Sequence, residues 1–214
     1  MNLNSIKRFC AIASLSLGLS SSASLLALNV NCGNISIPKE IDKVNGQYVF
    51  SLKQKCRVEG EVTINKEKIE SVFPKLLKED RTYRKIKVEK EGRYENKPAV
   101  HLDVVQEKET KHGEMKLTGD IHLTYNEESK TFGYYYQSRE IEGSGYAGNT
   151  KEMADSVIVT KQENHLEMSI TRTVKIKKPW LAPKKLFIKE TKKGLESDLP
   201  ALVSMQVEFL ERDQ

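Results

Sequence analysis

Histidine, cysteine and tryptophan are scarce in this 214-residue chain, at four, three and one. Each shortage removes a class of chemistry. His101, His112, His122 and His165 show no metal-ligand spacing, and the cysteines are too few for a zinc centre, so no metal is expected. Gly143-Ser-Gly145 falls short of the five-residue G-x-S-x-G elbow of a serine hydrolase. No strongly apolar run reaches the roughly twenty residues that cross a bilayer. Lysine and arginine (35) barely outnumber aspartate and glutamate (30). The two signs are interleaved, as in Lys87-Val-Glu-Lys-Glu91, which describes a solvated face and excludes a nucleic-acid partner. What is present is 38% hydrophobic residues, enough for one soluble domain with a core.

One motif invites a cofactor. Gly143-Ser-Gly-Tyr-Ala-Gly148 reads as G-x-G-x-x-G, the turn that cradles a dinucleotide pyrophosphate. That turn needs a helix behind it, whose N-terminus holds the charge. Here Asn149 to Asp155 separates the last glycine from the strand-like Val157-Ile-Val-Thr160. A crossover helix does not fit there, so no cofactor is expected and the glycines read as a loop between antiparallel strands.

The N-terminus reads as a secretory signal over residues 1–23. Lys7 and Arg8 precede the apolar and hydroxylated stretch Phe9–Leu19, and Ser21-Ser-Ala23 offers the small residues of a cleavage site. The stretch is too serine-rich for a membrane anchor. Its removal takes two bases and lowers the formal charge from +5 to +3. The mature protein is then expected in the periplasm or outside the cell. Cys10 leaves with the signal, and Cys32 and Cys56 remain as a pair. In an oxidising compartment the pair is expected to form a disulfide, with two free thiols as the alternative.

Residues 24–46, punctuated by Gly33, Pro38 and Asn45-Gly46, read as an arm, and residues 47–214 as the domain. Gln47–Ile64 has strand character. Asn65 then caps a helix that Pro74 is expected to break, leaving two short helices. Six strand candidates follow: Tyr83–Glu91, Ala99–Glu107, Glu114–Tyr125, Thr131–Ile141, Ala154–Lys161 and Leu166–Ile176. Turn-rich joins suit an antiparallel meander. Leu195, Leu199, Leu202, Gln206 and Phe209 then recur at helical spacing, with Pro200 expected to kink or split that helix.

This order resembles the helix-grip fold of the START-like, or SRPBCC, superfamily. The resemblance covers residues 48–212. It is carried best by Val58-Glu-Gly-Glu-Val-Thr-Ile-Asn65, by Ile69-Glu-Ser-Val-Phe-Pro-Lys-Leu-Leu77, and by the final strand and helix. The cysteine-bearing arm and Pro200 depart from it. The resemblance implies an α+β domain: a curved antiparallel sheet of about seven strands, two short helices, and a long C-terminal helix over a hollow for hydrophobic ligands. It also implies that the glycine loop, with Gly143, Gly145, Tyr146 and Gly148, overlooks the mouth of that hollow as a gate. The other possibility is a mobile turn.

Period-two alternation assigns the faces. Leu102, Leu117, Gly119, Ile121, Tyr134, Tyr136, Met168, Ile170 and Arg172 point inward with the rest of their sets, and Leu199 and Val203 face them from the helix. These are the candidate ligand-binding residues. Gly119 either leaves room or allows a bend in its strand. Tyr134 and Tyr136 suit an amphipathic ligand or serve as core. Arg172 on an apolar face needs an anion, from a ligand carboxylate or phosphate or from an internal salt bridge.

The function expected from these features is an exported carrier of a hydrophobic or amphipathic small molecule such as a lipid. The alternatives are a polyketide cyclase or dehydratase-like enzyme, with Tyr134, Tyr136 or Asp155 as a general acid, and an envelope protein-interaction module with a filled interior. The case for an enzyme is thin. A lysine cluster, Lys175, Lys177, Lys178, Lys184, Lys185, Lys189, Lys192 and Lys193, allows weak contact with an anionic membrane surface or is plain solvated surface.

Overall fold

The computed structural model describes residues 28–38, 40–110, 113–145 and 147–212. Residues 1–23, read above as a signal, and Tyr146 of the glycine loop lie outside them. The strands are β1 (Asn29–Cys32), β2 (Asp42–Val44), β3 (Gln47–Glu59), β4 (Tyr83–Tyr94), β5 (Lys97–Thr110), β6 (Gly113–Asn126), β7 (Thr131–Gly143), β8 (Thr150–Lys161) and β9 (Leu166–Ile176). Among the described residues there are two α-helices, α1 (Lys66–Glu79) and α2 (Lys184–Glu211).

The nine strands of the described residues form one curved antiparallel sheet in the order β1-β3-β9-β8-β7-β6-β5-β4, with β2 also on β3. The path follows from this order. β3 leaves for the far edge through α1, and the meander β4 to β9 brings the chain back to pair with β3. Asn45-Gly46 and Glu95-Asn96, all at positive φ, make the tight turns into β3 and β5.

The arm is part of the sheet, which raises the strand count from seven to nine. β1 pairs with the end of β3 and β2 with its start, and Cys32 lies opposite Cys56, to which it is disulfide-bonded. Strands of four and three residues carry too little pattern to be seen in sequence.

Neither proline acts as expected. α1 runs unbroken through Pro74. A proline inside a helix costs about 3 kcal/mol. Phe73, Leu76 and Leu77 are buried around it, and each such burial contributes roughly 1.5–3 kcal/mol, so packing wins. Asn65 caps the helix, its Oδ1 accepting from the Lys68 amide at 2.8 Å. α2 likewise continues through Pro200, which is exposed while Leu199 and Leu202 beside it are buried.

Two aromatic clusters sit in the core. Phe73 of α1, Phe132 and Tyr134 of β7 and Phe209 of α2 meet with ring centroids 5.0–6.3 Å apart. At the other end of α2, Phe187 packs edge-on against Tyr48 at 5.2 Å and Phe50 at 6.1 Å.

Candidate functional site

Between those two aromatic clusters the packing changes. No residue of α2 from Ile188 to Asp198 is buried, and a Cβ on Gly194 would meet nothing within 4 Å. The apolar residues of this stretch, Ile188 and Leu195, pack against the core only partly buried. The sheet row crossing the concave face at the corresponding height runs Leu52, Arg172, Asp155, Tyr136, Ile121, Leu102 in cross-strand register. Three adjacent members of that apolar face are polar.

Arg172 and Asp155 bind each other at two points, Nε to Oδ1 at 2.7 Å and Nη2 to Oδ2 at 2.8 Å. Their side chains are only 8% and 5% exposed. Of the two partners considered for Arg172, the structure supplies the internal one. Burial alone would lower the guanidinium pKa; the adjoining Asp155 carboxylate outweighs it and holds the value raised. Burial, then the Asp155 charge, pushes the Tyr136 phenol well above its ordinary range. Its hydroxyl is enclosed and has no hydrogen-bond partner among the described residues.

Two residues that the alternation did not single out join this island. Lys108 of β5 is half-buried, and burial followed by the charge of Arg172 pulls its ammonium below the ordinary range. The charge of Asp198, an exposed residue of α2, opposes that shift and reinforces Arg172. Tyr83 at the start of β4 is raised by burial and then by Asp80, and it raises Tyr134 in turn, after burial of Tyr134 itself. The signal for Lys108 was present: it continues the inward set Val104, Gln106, but a lysine at a strand end reads as solvated.

Gln206 is the second polar feature. It is fully buried on the α2 stripe between Leu202 and Phe209, and neither its amide nitrogen nor its amide oxygen has a partner among the described residues. It stands seven positions after Leu199, about 10 Å along the helix. Native interiors leave few such atoms unsatisfied.

The predicted lining falls as follows. Leu102, Leu117, Ile121, Met168, Ile170 and Leu199 are buried core; Tyr134, Tyr136 and Arg172 are buried on the concave face, and Val203 is half-buried. Met168 lies opposite Cys56, away from the polar row. Gly119 leaves no room: a Cβ there would sit 2.6 Å from the Gln137 carbonyl oxygen and 2.8 Å from the Tyr136 ring. It marks a bulge, because Thr118 pairs with Glu140 and Gly119 with Ser138, leaving Arg139 as the extra residue.

The glycine loop bridges a split in the sheet. β7 and β8 pair only over Thr131–Gln137 and Ala154–Thr160. Past that point they part, and the Ala147–Asn149 turn of 3-10 helix fills the gap. No α-helix follows the glycines. The Ser144 amide donates to the Glu114 carbonyl at 3.0 Å, the Glu114 amide to Ser144 Oγ at 3.0 Å, and the Lys177 amide to the Asn149 carbonyl at 2.9 Å. Gly145 takes φ +59°, and a Cβ on Gly148 would meet the Gly143 carbonyl oxygen at 2.6 Å. A groove of about 570 Å³ opens beside the loop, lined by Lys108, Met115, Lys116, Glu142, Gly143 and Ser144 among others.

On the convex face His101, His122, Tyr135 and Tyr94 stack with centroids 4.4–4.9 Å apart. His101 Nε2 lies 2.8 Å from Asp120 Oδ1. Among the described residues no His, Cys, Asp and Glu group is arranged to hold a metal ion, and no described helix is long and apolar enough to cross a membrane.

No family model matches the chain, and no curated protein matches it. Solved structures do. It is similar to human STARD10, with 9% identity, TM-score 0.43, and 82% of this chain and 72% of that one covered. The human StarD13 (DLC2) lipid transfer and protein localization domain gives 11%, TM-score 0.41, and 83% and 89% covered. Truncated norcoclaurine synthase from Thalictrum flavum gives 14%, TM-score 0.40, and 80% and 96% covered. On its own geometry the chain has an α+β helix-grip fold, one curved antiparallel sheet gripping a long C-terminal helix.

Proposed function

We propose that this protein is an exported carrier of an amphipathic small molecule, of the lipid class, held between the sheet and the middle of α2. The observation that carries the proposal is the pairing of enclosed, unpartnered polar atoms with an apolar lining. The Tyr136 hydroxyl and the Gln206 amide look for partners, and Leu102, Leu117, Ile121, Ile170, Leu199 and Val203 supply the apolar surroundings. A polar head beside Tyr136, Lys108 and the Arg172–Asp155 pair, with its apolar part along α2 toward Gln206, satisfies both. Binding would draw on apolar burial, roughly 25 cal/mol per Å² before ordering costs. The loop Gly143–Gly148 would gate the mouth. Export is supported by the signal-like N-terminus and by the disulfide, which suits an oxidising compartment.

Native mass spectrometry with solvent extraction of the protein purified from its own compartment tests this. A bound amphiphile at one per chain is the outcome expected; a chain that is always empty sinks the carrier. Tyr136 and Asp155, paired across β7 and β8 on the inward face with the Tyr136 phenol shifted upward, favour a second reading as a cyclase-like enzyme. There, Tyr136→Phe would abolish turnover and spare binding.

A further inference from the structure

The connection from β9 to α2 exposes the wrong residues for a loop with no partner. Trp180 is 86% exposed and Leu181 74%, and Leu186 on the first turns of α2 is 53% exposed. Trp180 is the only tryptophan of the chain. The side chain most able to add to a core is therefore placed almost wholly outside it.

The loop is nonetheless built. The Lys178 ammonium donates to the carbonyls of Pro179 at 2.8 Å, Trp180 at 3.3 Å and Ala182 at 2.7 Å. Its three protons thus tie the backbone around one centre, and the Ala182 amide closes the turn on Pro179 at 3.1 Å. Trp180 and Leu181 stand out from a fixed turn.

The surrounding charge has one sign. From Lys175 to Lys189 the chain holds six lysines and no Asp or Glu. Lys175 is paired with Glu152 and Lys178 is turned into the loop. Lys177, Lys184, Lys185 and Lys189 remain around the tip. The first turn of α2 carries no acidic residue and Pro183 gives no side-chain cap. That end of the helix therefore adds its positive dipole to two lysines, an arrangement unfavourable in water and favourable against an anion.

We propose that the β9–α2 turn docks this protein on an anionic bilayer, with Trp180 and Leu181 entering the interface and Lys177, Lys184, Lys185 and Lys189 meeting the headgroups. A small convex apolar tip ringed by cations matches that surface in shape and charge. Tryptophan prefers the bilayer–water boundary, and each lysine near an anionic leaflet contributes roughly a fivefold gain in affinity. The place is apt. The Lys177 amide is bonded to Asn149, so the docking turn adjoins the glycine loop at the split between β7 and β8. The docking proposal does not rest on the carrier reading, and each can fail alone.

Trp180 is its own probe. The mature disulfide-bonded protein is mixed with vesicles of phosphatidylcholine alone or with added phosphatidylglycerol. Tryptophan emission and co-sedimentation are then recorded. The proposal expects a blue shift, and quenching by acyl-brominated lipid, with the anionic vesicles only, weakening as salt rises. Co-sedimentation should fall about tenfold or more in Trp180→Ala/Leu181→Ala, and likewise in Lys184→Glu/Lys185→Glu. Both variants alter exposed side chains, and their unfolding midpoints should match the parent. Failure to bind anionic vesicles overturns the proposal. So does binding with unchanged Trp180 emission, which is adsorption without insertion.

Discussion

Arg172 and Asp155 face each other across β9 and β8, joined at two points of 2.7 and 2.8 Å on the concave face of the sheet. A pair this enclosed makes its weight felt when one member is lost. Arg172→Met strands a carboxylate in the interior and should cost about 3–5 kcal/mol, whereas Arg172→Met with Asp155→Leu should recover most of it. Urea unfolding of the three chains measures the difference. Equal losses in single and double variants would show that the pair does not act as a unit.

Gly119 and Gly133 separate two kinds of close approach. A Cβ on Gly119 would lie 2.6 Å from a backbone oxygen, at a bulge that cannot shift without moving β7. A Cβ on Gly133 would meet Thr124 Oγ1 and the far edge of the Tyr135 ring, at 2.6–2.9 Å. Side-chain ends can turn aside. Gly119→Ala should therefore destabilise by about 1–3 kcal/mol, and Gly133→Ala by less. Thermal unfolding ranks them; the reverse order would contradict the assigned bulge.

Ser144 pins the glycine loop to β6 through the Glu114 amide. If that loop gates the mouth, Ser144→Ala should speed both entry and exit of a fluorescent amphiphile such as anilinonaphthalene sulfonate and leave its equilibrium affinity nearly unchanged. Stopped-flow fluorescence reads the rates. Identical rates in parent and variant leave the loop a static turn.

His122 gives the fold a pH dependence of definite sign. Burial, then the neighbouring His101, lowers its pKa, with Asp120 opposing. In the unfolded chain the imidazole titrates near 6.5. As pH falls below that value the unfolded state takes the proton first, so stability declines until the lowered folded pKa is passed. His122→Phe should remove this component. The check is the difference between the two unfolding curves over a pH series; a difference that does not vary across the window would contradict the assignment.

What the sequence disclosed was periodic, and what it hid was long-range. Met115, Leu117, Ile121 and Leu123 alternate so regularly that the inward face of β6 could be read directly, and Tyr134, Tyr136 and Arg172 followed by the same count. The partner of Arg172 could not be read, because Asp155 reaches it only through the register of β8 on β9. Pro74 and Pro200 misled for a related reason. Local preference names them breakers, and burial of their neighbours decides otherwise. β1 and β2 are recognisable only once β3 is there to pair with them. Lys108 was hidden by its charge, which reads as surface although the fold half-buries it.

The carrier reading puts an amphiphile beneath residues 188–198 of α2. Electron density from a crystal of the protein purified without delipidation tests it most directly. Continuous density in that space, with a polar end within hydrogen-bond reach of the Tyr136 hydroxyl or the Gln206 amide, is the result predicted. A space closed by side chains, with those polar atoms bonded to protein or to isolated waters, would contradict it.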